Sequence, residues 1–98
     1  MKTQAKLLEE LSIRWPELTF KPGDTYHWSP SNKTVVYQST DTSEIGLWTL
    51  LHETCHGILG HTNYQSDFEL VTLEVSAWDH AKRLAEVMNI VIDEDHIQ

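Results

Sequence analysis

His52-Glu53-Thr54-Cys55-His56 is the stretch on which the reading of this chain turns. On a helix, four residues rise about 6 Å and turn about 40°, so imidazoles at positions 52 and 56 leave from one face and can share a metal ion such as zinc. Glu53 stands about 100° round from His52, beside the pair instead of under it. From there it can take a proton from a metal-activated water without occupying the metal. The competing reading makes His52 and His56 core or capping histidines of a buried helix.

The surrounding residues favour a helix. Asp41-Thr42-Ser43-Glu44 has the spacing of an N-terminal capping box, with Asp41 as the expected cap and Ser43 as the alternative. The spacing predicts a helix from about 44 to 59. Large apolar groups lie on both of its sides, which predicts a central helix covered twice. Gly57 and Gly60 offer left-handed conformations for its stop. A second box, Ser66-Asp67-Phe68-Glu69, opens a last helix over about 67–90. Its apolar stripe runs through Leu70, Leu73, Ala77, Ala81, Leu84, Ala85 and Met88, and Glu74 interrupts it. A carboxylate buried there needs a partner or a metal.

Upstream, residues 3–13 place Ala5, Leu8, Leu11 and also Leu7 toward one side of a short helix that ends before Trp15-Pro16. Short strands are expected at 18–20 and 25–28 and a stronger one at Lys33–Gln38, where β-branched and aromatic residues run together. Pro22-Gly23-Asp24 reads as a turn, and Ser29–Asn32 as a hairpin connection. The expected fold class is α+β: about three strands in one sheet, packed with an N-terminal helix, a central motif helix and a C-terminal helix bearing Glu74. Ninety-eight residues leave room for one domain, 1–98.

A catalytic metal needs a third protein ligand and an open fourth position. Glu74 is the first candidate, and His61 competes from beyond the helix end. Glu69 is explained as a cap. Asp79 faces away from Glu74 and is expected in solvent. His80, near the border of the stripe, is a candidate for an oxyanion or ligand contact. Cys55 reads as an inert helix thiol, and as the lone cysteine it excludes an internal disulfide.

Seven basic against fifteen acidic residues give a net charge of −8, and residues 41–98 hold eleven of the acids with only two bases. Such a field repels phosphate, so nucleic acid and anionic membrane are poor partners. Charges at Glu9 and Glu10 interrupt any apolar leader, and no apolar run approaches the roughly 20 residues of a membrane span. A cytoplasmic location and a monomer or weak homo-oligomer are expected.

His52–His56 followed by Gly57-Ile58-Leu59-Gly60-His61, and then Glu74-Val75-Ser76-Ala77-Trp78-Asp79-His80-Ala81, resembles the gluzincin class of zinc metallopeptidases. Within it the chain is most similar to the minimal, minigluzincin-like members and to protease domains of the ImmA/IrrE type, over about residues 33–88. The resemblance implies a small zincin-like domain holding one Zn²⁺ through His52, His56 and Glu74, with Glu53 as general base. It makes His61 a non-ligand, and it implies that the strand at Lys33–Gln38 forms the cleft rim and holds a peptide in extended form. Two departures stand out. Thr62 and Leu59 break the metzincin pattern, and Trp78 occupies the place where several larger gluzincins have an Asp that orients a ligand histidine.

The expected function is therefore zinc-dependent peptide hydrolysis, with a catalytically weak or inactive zinc-binding module, regulatory or structural, as the alternative. A closed fourth position at His61 or His80 would mark a structural site. Ile90-Val91-Ile92 can pair with a strand, and Asp93, Glu94, Asp95 and His96 can reach back to the cleft, so a zymogen-like latent form is a further expectation; a solvated tail is the competing one.

Overall fold

The computed structural model describes residues 3–60, 67–88 and 90. Helix α1 is Gln4–Arg14; the strands are β1 (Thr19–Gly23), β2 (His27–Ser29) and β3 (Thr34–Gln38); the remaining helices are α2 (Glu44–Ile58) and α3 (Asp67–Val87). This is the expected α+β arrangement: among the described residues, three helices and one three-stranded sheet, with α2 between the sheet and α3.

Thr3 caps α1 by accepting from the Lys6 N–H, and Trp15, held before Pro16, closes it. Its buried face is Leu7 and Leu11, while Ala5 is exposed and Leu8 half-buried. The expectation centred on Ala5, Leu8 and Leu11 is corrected by one position: an i, i+4 pair suffices for so short a helix, and the contact with α2 and β1 selects which pair.

The sheet order is β1-β3-β2, with β1 parallel and β2 antiparallel to β3. Pro22 and Gly23 are not a turn but the last residues of β1, opposite Tyr37 and Gln38. β1 is a terminal strand, where a missing proline N–H need cost no ladder bond. Gly23 is needed for contact, since a Cβ there would sit 2.7 Å from Val36 Cγ1. β2 and β3 form the expected hairpin, Ser29 opposite Thr34, and Lys33 takes the left-handed conformation (φ 50°) that turns the chain into β3. Lys33–Gln38 thus becomes the central strand, paired on both sides. Its residues 34–36 are thereby closed on both sides, whereas Tyr37 and Gln38 pair with β1 alone.

Ser43, not Asp41, caps α2: its Oγ accepts from the Gly46 N–H at 3.0 Å. Asp41 instead accepts from the Ser43 N–H and hydroxyl at 2.8 and 2.6 Å, and from the Tyr26 hydroxyl at 2.9 Å. These bonds, the Ser43 hydroxyl foremost, hold its carboxyl below the usual carboxylate range. α2 is buried on both sides, with Leu47, Leu50, Leu51 and Cys55 in the core, the sheet against one side and α3 against the other. Gly57 lies inside the helix, and only Gly60 (φ 71°) beyond it is left-handed.

Along α3, Ala77, Ala81, Leu84, Ala85 and the adjoining Met88 are buried as the stripe predicts, but Leu70 and Leu73 are half-buried. The helix is sealed at its C-terminal half and open toward its start. It ends at Val87 instead of near 90, and the Ile90 N–H turns back to the Ala85 carbonyl. Its expected cap, Ser66, lies outside the described residues. No helix among the described residues is long and apolar enough to cross a membrane.

Candidate metal centre

α2 carries His52 and His56 one turn apart, and both rings are nearly withdrawn from solvent at 4 % and 7 % exposure. Their Nε2 atoms face one another at 3.2 Å. From α3, Glu74 brings one carboxylate oxygen to each: Oε2 to His52 Nε2 and Oε1 to His56 Nε2, both at 2.9 Å. The three side chains form a group within metal-binding distance, their ligand atoms all inside 4.8 Å of one another. Ligands about 2.0–2.1 Å from a tetrahedral zinc stand about 3.3 Å apart, close to this spacing. Two imidazole nitrogens and a carboxylate turned on one point are a donor set that suits a divalent cation.

Glu74 is less buried than its place in the stripe implies. Its side chain is 44 % exposed, and its neighbours on α3 from 69 to 76 are likewise exposed or half-buried. The group is consequently closed by the rings on one side and open at the carboxylate. Burial lowers the His56 pKa below its ordinary value, against the pull of the Glu74 carboxylate, and so favours the neutral ring a metal requires.

Glu53 is half-buried beside this group. Burial pushes its carboxyl up to about 7, the negative charge of Glu74 adds to the rise, and a hydrogen bond from the Trp28 backbone N–H opposes it. Trp28 lies on β2, the terminal strand beside α2. That contact joins the sheet edge to the motif helix. No spacing rule foretells it, because residues 28 and 53 meet only through the sheet.

Trp78 is the other residue that motif reading undervalued. It stacks on His52 with ring centroids 4.2 Å apart and 30° between planes. The available signal was its position one turn after Glu74, on the same side of α3. Leu70, Val71, Val75 and Trp78 also line an open groove that reaches Glu74.

The remaining candidates are not joined to the group among the described residues. His80 is half-buried and contributes no atom to the ligand set. Asp79 is exposed and pairs with Arg83 at 3.1 Å, as expected for a solvated acid. Cys55 is fully buried, and burial pushes its thiol up to about 12, which makes it inert. His61, Asp93, Glu94, Asp95 and His96 lie outside the described residues.

No family model, no curated protein and no solved structure matches this chain.

Proposed function

We propose that the chain is a zinc-dependent peptidase of the endopeptidase type. The observation that carries this reading is the convergence of His52, His56 and Glu74 on one point with a second carboxyl, Glu53, held beside it. Zinc bound by the three ligands would supply Lewis acidity, polarising a scissile carbonyl and acidifying a water. Glu53 takes the proton of the attacking water and passes it to the leaving amine. A half-buried carboxylate beside the metal-directed group supports that role. The Trp28 N–H holds that carboxylate in place. An extended peptide is read as lying along the open side of the centre, between the β2 edge and the α3 groove at Glu74.

Trp78 favours a second reading, a zinc-binding module without turnover. An indole at 78 packs against His52, whereas a carboxylate in that place would raise the basicity of a ligand histidine.

Metal analysis of the purified protein, joined to Glu74→Ala and Glu53→Gln, separates the readings. One zinc per chain is expected, and Glu74→Ala should lower occupancy at limiting metal by about tenfold or more. Glu53→Gln should keep zinc and fold and abolish cleavage of an unstructured peptide. Zinc bound without hydrolysis in the parent protein would leave the second reading. Occupancy unaffected by Glu74→Ala but lost on replacing His61 would move the third ligand there.

A further inference from the structure

Glu53 and Gly57 are one turn apart on α2, so they share a face, and Trp28 touches both. Its backbone N–H donates to the Glu53 carboxylate, while its ring lies over Gly57. A Cβ on Gly57 would stand 2.9 Å from Trp28 Cζ3 and 3.1 and 3.2 Å from the two Leu18 methyls. Leu18, buried at 7 % exposure, walls the same position beside the ring. The indole occupies the volume that any other residue at 57 would fill.

We infer that Gly57 is a positioning residue for Glu53, acting through Trp28. The missing side chain lets the indole seat on α2, and the seated ring brings the β2 main chain close enough for the Trp28 N–H to hold the carboxylate. Gly57 does no work on its own backbone, since it is helical and only Gly60 is left-handed. The three metal-directed residues need not move when the strand does, because Glu74 reaches the histidines from α3. Metal retention and base placement are therefore separable in this fold. The catalytic part of the inference rests on the role proposed for Glu53; the positional part does not.

The experiment compares the parent protein with Gly57→Ala, Trp28→Phe and the double variant. Phenylalanine keeps the backbone N–H but lacks the Cζ3 edge of the indole, which makes room for the alanine methyl. Amide hydrogen exchange at residue 28 reads the contact directly, and zinc content and peptide cleavage are followed alongside. Gly57→Ala should speed exchange at residue 28 by about tenfold or more at unchanged zinc content, and the double variant should restore protection. Cleavage should follow in kcat and not in KM, falling about tenfold in Gly57→Ala and recovering in the double variant. Glu53→Ala should also release the residue 28 amide. Parental exchange in Gly57→Ala would overturn the inference. So would loss of zinc or fold in Gly57→Ala that the double variant does not repair, since that marks a structural role. A parent protein that binds zinc and cleaves nothing would defeat the proposed function, while exchange at residue 28 would still decide the position of Glu53.

Discussion

Trp78 lies nearly parallel to His52, the two rings 4.2 Å apart at 30°, and so the helix that delivers Glu74 also clamps the first histidine of the motif. α3 thus does two jobs one turn apart: a carboxylate at 74 faces both Nε2 atoms, and an indole at 78 fixes the orientation of one of them. His56, set edge-on to His52 at 83°, completes a packed pair with little rotational freedom. Preorientation of this kind lowers the ordering cost of binding a metal.

Replacing Trp78 with alanine should therefore weaken zinc binding by about tenfold, because His52 regains its side-chain freedom. Phenylalanine should recover most of that loss by keeping a stacked ring. Competition against a chelator of known affinity measures both. Equal affinities for the parent and the alanine variant would show that the stack does not orient the ligand.

At the centre, the pH dependence of stability in the metal-free protein has two opposing parts. Glu53 has a carboxyl raised to about 7 from 4.5, so its contribution is fully present below 4.5 and is lost as pH rises through 7. His56, lowered from 6.5 by burial, contributes stability that is present above 6.5 and is lost as pH falls through its lowered value. Glu53→Gln removes the first part alone. At pH 8 the metal-free variant should be more stable than the metal-free parent by up to about 3 kcal/mol, with the difference gone by about pH 4. Urea unfolding at a series of pH values checks this, and a variant less stable than the parent at pH 8 would refute the assigned cause.

Ser43→Ala should cost about 1 kcal/mol, since it strips the Gly46 N–H of its acceptor and Asp41 of one donor. Zinc affinity should be unaffected, because the cap lies more than two turns of α2 before His52. Denaturant midpoints and metal titration read the two effects separately. Loss of zinc binding in step with stability would mean that the start of α2 and the centre are coupled.

Much of the site was legible because it is written in short-range spacing. A period of 3.6 residues places His52 beside His56 whatever the helix packs against, and an acid inside an apolar stripe singles out Glu74. The capping pattern located the start of α2 but chose Asp41 over Ser43. Sequence shows which side chains can cap, and it does not show that Tyr26 and Ser43 both converge on Asp41.

The strands were harder because a strand is defined by its neighbours. Pro22-Gly23 has the composition of a turn, yet pairing with Tyr37 and Gln38 draws it into β1. The run at 33–38 carries the strongest strand signal because it is the strand both neighbours use, and only the pairing shows that its residues 34–36 are closed on both sides.

The sequence by itself determined the helices among the described residues, the facing pair of histidines and Glu74 as first candidate for a third donor, because each depends on periodicity within one segment or on the cost of an acid among apolar residues. Only the tertiary structure decided how open Glu74 is, which strand forms the edge beside Glu53, and that Trp28 and Trp78 grip the centre from either side. Those properties are set by distances between segments far apart in the chain, and such distances exist only once the sheet and α3 have closed on α2.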